Sequence, residues 1–192
     1  MIVLASQSPR RSELLANAGI SFVVRPAAIE EKPREGESPE QYVLRLACEK
    51  AQAVPAADEE FVLAADTTVV ADGQILEKPR SAEDAARMLR LLHGRDHLVL
   101  TGVCLRHAGR LWSAVEQTRV WFIPLREEEI LAYASSGEPL DKAGGYAIQG
   151  LASRFAEKIE GCYFNVVGLP VSRVYRMLRA AGYNFNYNFN AG

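Results

Sequence analysis

The chain has 192 residues, 48% of them hydrophobic and 24% charged, with a formal net charge of −2. That length suits one domain with a substantial core, and the near-balanced charge excludes the strongly basic surface of a general nucleic-acid binder. No apolar run approaches the roughly 20 residues that a membrane-spanning helix needs, so neither nucleic acid nor membrane is expected as a partner.

The opening "MIVLA" reads as a short buried strand that feeds directly into a helix over "SPRRSELLANAG". Ser8 is its N-cap, Pro9 its first helical residue, Leu14 and Leu15 its buried face, and Gly19 its stop. Arg10 and Arg11 therefore fall in the first turn, where exposed N–H groups disfavour cations by roughly 0.3–1 kcal/mol each. Two readings are open. The arginine stems can fold outwards to carboxylates elsewhere, or the turn is an anion site in which two guanidinium forks and the Ser8 hydroxyl hold phosphate oxygens. The arginine pair is not read as an export signal, because Glu13 and Asn17 interrupt the apolar run that should follow, and a cytoplasmic protein is expected.

"ISFVVRPA" reads as a second strand, and the charged, proline-bearing "IEEKPREGESPEQ" as a loop. "SPEQYVLRLACEKAQAV" is a helix capped by Ser38, with Tyr42, Val43, Leu46 and Ala47 facing inwards. "EFVLAADTTVVADGQILEKP" is a strand and hairpin turning at Asp72-Gly73, and "SAEDAARMLRLLHG" a capped amphipathic helix. "HLVLTGVCLRHAGRLWSAVEQTRVWFIPL" gives two long strands around "HAGR". "REEEILAYASSG" is a helix, "DKAGGYAIQGLASRF" a glycine-rich stretch, "AEKIEGCYFNVVGLP" a hairpin-like pair and "VSRVYRMLRAAG" a closing helix. Strands interleave with helices and hairpins, which predicts an α/β fold with a mixed, twisted sheet and flanking helices. No linker divides the chain, so residues 1–182 are one domain and "YNFNYNFNAG", residues 183–192, a flexible tail.

The three cysteines are widely spaced and form no zinc pattern, so reduced thiols are expected. His93 and His97 are four apart, but Gly94 ends the helix between them and no partner ligands are near, so no histidine metal site is expected.

Chemistry concentrates in four places. Asp66 stands at the carboxyl end of an apolar strand, where open α/β sheets build sites; the plainer reading is a turn former. Lys78 leaves the same hairpin, and a carboxylate with a lysine are the usual parts of phosphoryl-transfer sites. Glu30-Glu31 is a solvated acidic pair or, alternatively, supplies one carboxylate to share a cation with Asp66. In "SGEPLDKAGGYAIQG", Gln149 carries both a donor and an acceptor, the equipment for reading a base edge. Neither GxGxxG nor GxxxxGK[ST] occurs, which disfavours a dinucleotide fold and a P-loop.

Taken in order, "LASxSPRRxELL", "AADTTV…LEKP" and "SGEPLDKAGGYAIQG…FNVVGLP" resemble the Maf family of nucleoside triphosphate pyrophosphatases across nearly the whole chain. The resemblance implies two lobes around a cleft, a fold related to the inosine triphosphate pyrophosphatases, and a homodimer. It implies hydrolysis of a nucleoside triphosphate between the α and β phosphates, with Mg²⁺ or Mn²⁺ as cofactor. By position, Ser8, Arg10, Arg11, Lys50 and Lys78 match the family's phosphate-binding residues, Asp66 its proton acceptor, and Glu31 with Asp66 its metal-holding carboxylates. "ADT" and "YAIQG" resemble the dTTP/UTP branch, whose specificity positions fall on Arg10, Thr67 and Gln149. The "AAI" before Glu30 departs from an Asp-containing family pattern. The family's link to septum formation leaves a second reading, a nucleotide-binding regulator of cell division.

Overall fold

Short apolar runs build the sheet, and the long alternating ones extend it. In the computed structural model, which describes residues 1–185, strands β1 (Ile2–Leu4), β2 (Phe22–Val24), β3 (Phe61–Ala71), β4 (Gln74–Leu76), β5 (Asp96–His107), β6 (Arg110–Phe122) and β7 (Ala156–Glu160) form one sheet. Its order is β2-β1-β3-β5-β6-β7, with β4 also on β3. β1 runs parallel to β2 and β3, and every other pairing is antiparallel, so the sheet is mixed as predicted. Asp72 and Gly73 (φ 50° and 73°) turn one hairpin, and Ala108 and Gly109 (φ 45° and 70°) the other.

Among the described residues, six α-helices flank the sheet: α1 (Pro9–Asn17), α2 (Pro39–Ala53), α3 (Ala82–Leu92), α4 (Glu127–Ala134), α5 (Tyr163–Val167) and α6 (Val171–Ala180). Ser38 starts α2 through a reciprocal capping box with Gln41. One face of the sheet, with Leu63, Ala65, Val69, Val99 and Val103, packs into the main core with α1, α3, α4 and α6. The other face, with Ala64, Val70, Leu100 and Cys104, lies under α2. Gly102 makes that second contact possible. A Cβ there would stand 2.1 Å from the Val43 carbonyl oxygen, so the backbone of α2 rests directly on β5.

The sheet is split where it matters. β1 pairs with β3 over Phe61–Leu63, and β4 pairs with the same edge over Val69–Ala71. Between them, among the described residues, residues 64–68 pair only with β5 on the other edge, and the notch left on this edge holds Asp66 and Thr67.

One predicted element is corrected. "AEKIEGCYFNVVGLP" is not a hairpin: β7 is followed by the short helix α5. Asn165 is fully buried there and donates to Val99 O and Thr118 Oγ1, both at 3.0 Å, which pins a helical turn onto β5 and β6. Five residues are too few to display a helical period, so the apolar, β-branched composition imitates a strand. At the chain's end, Tyr183 N–H bonds Leu178 O and its ring meets Phe61 edge-on at 5.2 Å. Residues 186–192 of the predicted tail lie outside the described residues.

Candidate active site

The notch in β3 opens into a cavity of about 600 Å³. α1 and the loop before it form one wall, α2 a second, and the glycine-rich segment after α4 a third. Ser8, Arg10, Arg11, Glu31, Lys50, Asp66, Thr67, Lys78 and Gln149, dispersed over the sequence, all line it.

The first turn of α1 carries no acidic residue, and Ser8, its N-cap, makes no side-chain capping bond. The helix N-terminus and the Ser8 hydroxyl thus remain for an anion. Arg10 points across the cleft to Asp141, at 3.6 Å. Arg11 lies deeper. Its Nε donates to Gly168 O at 2.8 Å, Nη1 to Ser6 Oγ at 3.0 Å and Nη2 to Thr67 Oγ1 at 3.1 Å. All three acceptors are neutral. Burial holds the Arg11 pKa below its ordinary value, against the opposing charges of Asp66 and Glu31. A desolvated guanidinium without an ion-pair partner among the described residues is a strong attractor for a polyanion. Thr67 has a second duty beyond the one predicted: its hydroxyl accepts from Arg11 and shares a 2.9 Å bond with Thr101, so it anchors Arg11.

Opposite the arginines, Lys50 Nζ lies 2.6 Å from Asp66 Oδ1 and 2.7 Å from Glu31 Oε1. Lys50 and Asp66 are only 8% and 6% exposed, so this is a desolvated pair. Asp66 stands opposite Gly102 in the β3–β5 register, and the close seating of α2 over that glycine brings Lys50 within reach. Glu77, just after β4, accepts from Tyr42 Oη at 3.1 Å. The Tyr42 phenol pKa is raised, first by burial and then by the charges of Glu77, Asp66 and Glu31.

That excess of carboxylate over cation on the α2 side suits a divalent ion. Among the described residues no three acidic, histidine or cysteine groups converge as a closed cage. One or two carboxylates are what Mg²⁺ takes when phosphate oxygens and water complete its shell, so the residues fit a cation that arrives with its substrate.

The third wall is fixed to the sheet through its glycines. Gly144 (φ +68°) lies where a Cβ would meet the Val69 side chain at 2.7 Å, and its N–H donates to Glu77 O. Tyr146 lines the cavity while its hydroxyl pairs with buried His97 Nε2 at 2.7 Å. Gln149 is exposed at the cavity's edge, and Lys78 is also exposed, with no ion pair among the described residues. Sequence reasoning missed Tyr42, Glu77 and Thr101. Tyr42 read as core, and only its hydroxyl reaches the site. Glu77 carried a usable signal in its adjacency to Lys78.

The Maf-like protein family matches residues 1–181. A dTTP/UTP pyrophosphatase of Koribacter versatilis (strain Ellin345) is 54% identical over 182 residues, covering 94% of each chain. A dTTP/UTP pyrophosphatase of Shigella dysenteriae serotype 1 is 50% identical over 187 residues, covering 96% of this chain and 93% of the other. Among solved structures, the Staphylococcus aureus Ham1 protein aligns with a TM-score of 0.49 at 13% identity, over 94% of this chain and 98% of that one. With the family match spanning all three walls of the cavity, and half the residues shared with these relatives, the chain belongs to the Maf family.

Proposed function

We propose that the chain hydrolyses dTTP and UTP between the α and β phosphates, releasing the monophosphate and pyrophosphate. The carrying observation is the desolvated Lys50–Asp66 pair facing the Arg10–Arg11 turn across one cavity. The names of the relatives supply the substrate class.

A triphosphate carries about four negative charges, which repel an attacking water unless they are offset. Arg11, Arg10, Lys78, the Ser8 hydroxyl and the N–H groups of α1 bind the phosphate chain and receive the charge that grows on departing pyrophosphate. Asp66 takes a proton from water as its oxygen bonds the α phosphorus and the bond to the bridging oxygen breaks. Lys50 fixes the carboxylate in its reactive orientation. Glu31 and Asp66 would hold a divalent cation, which when bound neutralises phosphate charge and lowers the pKa of a coordinated water. Gln149 reads the pyrimidine O4/N3 edge, and Thr67 contributes by holding Arg11 in place. The proposal extends to a homodimer acting in the cytoplasm; among the described residues, no helix is long and apolar enough to cross a membrane.

The test incubates purified protein with Mg²⁺ or Mn²⁺ against a panel of triphosphates and resolves pyrophosphate from phosphate. Pyrophosphate released chiefly from dTTP and UTP is the expected result. Phosphate release would place cleavage at the β–γ bond and overturn the proposal. Saturable binding without product would favour the regulator of cell division.

A further inference from the structure

Beneath α2, away from the cavity just described, two thiols lie together. Cys104 of β5 faces α2 with no exposed surface, and half-buried Cys48 of α2 packs against the same apolar cluster. Cys104 stands opposite Ser113 of β6 in register. Cys48 and Ser113 both line a second, surface-open cavity of about 550 Å³, with Arg34, Glu37 and Arg45 at its sides. One sulfur therefore meets solvent, and the other waits behind it.

The two differ in charge state as well as in access. The neighbouring Cys104 thiol, and then Ser113, draw the Cys48 thiol down to about 7 against the upward pull of burial. Cys104 is pushed the other way, first by its bond to Cys48 and then by burial. Near neutral pH the accessible Cys48 thiol is partly ionised beside a Cys104 thiol that keeps its proton, the division of labour between an attacking and a resolving cysteine.

We propose that Cys48 and Cys104 are a peroxide-reactive modification site, forming a reversible disulfide that tilts α2 and disturbs the Lys50 contacts to Asp66 and Glu31. The Cys48 thiolate attacks a hydroperoxide oxygen: the S–O bond forms, the O–O bond breaks, sulfur gives up two electrons, and the leaving oxygen departs as water or alcohol once protonated. Cys104 then attacks the sulfenic sulfur, the S–S bond forms, and the sulfenic oxygen leaves as water with the Cys104 proton. A dithiol reverses the step by exchange.

The link to the catalytic cavity is mechanical. A disulfide fixes the sulfurs about 2.05 Å apart, so residue 48 must move inwards. α2 cannot follow at its Val43 end, which already touches β5 at Gly102. The helix tilts instead at its Lys50 end, two residues beyond Cys48, where the ammonium bridges Glu31 and Asp66.

The experiment treats reduced full-length protein with hydrogen peroxide, caps free thiols with iodoacetamide and maps peptides without reduction. dTTP hydrolysis and dTTP binding are followed before treatment, after it, and after dithiothreitol. The expected result is a Cys48–Cys104 cross-linked peptide, with kcat/KM lowered by about fivefold or more and restored to within about twofold by dithiothreitol. C104S should form no cross-link, accumulate a dimedone-trapped sulfenic acid at Cys48 and keep its activity under mild peroxide. If C104S fails to fold, C48S serves the same purpose, losing both the cross-link and the peroxide response. Absence of the cross-linked peptide, or a cross-link with unchanged turnover and dTTP affinity, overturns the proposal. The activity arm rests on the pyrophosphatase reading. If the reduced chain hydrolyses no triphosphate, that reading falls separately, and the peptide map with dTTP affinity still decides this one.

Discussion

At the scale of single residues, the site sets one half-buried cation, Arg11, against one buried ion pair. Asp66 and Lys50 are both desolvated, and removing one member of such a pair commonly costs about 3–5 kcal/mol. Asp66→Asn is expected to escape most of that, because Glu31 remains 2.7 Å from the ammonium and keeps it paired. Stability should change by less than about 1 kcal/mol, while loss of the proton acceptor lowers turnover by about 10³-fold. Thermal melts beside pyrophosphate-release kinetics check both halves, and near-normal turnover would remove Asp66 from the mechanism. Arg11 behaves oppositely. Its fork joins three separate segments, at Ser6, Thr67 and Gly168. In Arg11→Lys a single ammonium cannot span them, and each hydrogen bond to a charged group is worth roughly 1.5–3 kcal/mol. Stability should fall by about 3 kcal/mol and kcat/KM by about 100-fold, read by urea denaturation and steady-state kinetics.

At the scale of elements, α2 couples the sheet to the site, and the coupling runs through a residue with no side chain. In Gly102→Ala the new Cβ would fall within 2.1–2.7 Å of backbone atoms of Val43 and Leu44, so the whole helix must lift. Overpacking of this kind costs about 3 kcal/mol, and Lys50 lifts with the helix, so turnover falls too. Ser38→Ala is the control at the same helix: it breaks the capping box for about 1 kcal/mol and leaves turnover intact. Equal effects of the two substitutions on turnover would show that the seating of α2 does not set the Lys50 position. These elements differ in how far the sequence revealed them. The starts at Ser8, Ser38 and Ser81 and the turn at Asp72-Gly73 were legible, because caps and left-handed turns have their own residue chemistry. α5 was not, because its helical identity comes from Asn165 bonding into β5 and β6, a tertiary fact. Asp66, Lys50 and the arginine turn were visible as residue types. That Thr67 holds Arg11, that Tyr42 holds Glu77, and that Gly102 is a contact surface depend on atoms far apart in the chain meeting.

At the scale of the whole molecule, the cavity exists only while the glycine-rich wall stays docked on the sheet, and His97 is the polar rivet in that docking. Its ring meets Phe122 and Tyr146 edge-on, its Nε2 pairs with the Tyr146 hydroxyl, and its Nδ1 has no partner among the described residues. Burial drives the His97 pKa down to about 4, with neighbouring Asp96 opposing the shift and Arg95 adding to it. Above an unfolded-state value of about 6.5 the imidazole is neutral in both states and costs nothing. Below it the unfolded chain gains a proton that the native state refuses, so stability falls with pH until the folded pKa is reached. Between about pH 7 and about pH 5 this group alone should remove about 2 kcal/mol, rising towards about 3 kcal/mol near pH 4. The acid-side loss from paired carboxylates such as Glu37 and Asp84 begins only near their unfolded-state values of about 4 and ends at their lowered folded values. Urea unfolding of the wild type and of His97→Gln at both ends of that window separates the two sources. The wild type should lose its 2 kcal/mol, roughly, and the variant should start less stable yet hold its value across the window. Parallel curves would mean that His97 takes up its proton as readily in the folded state as in the unfolded chain.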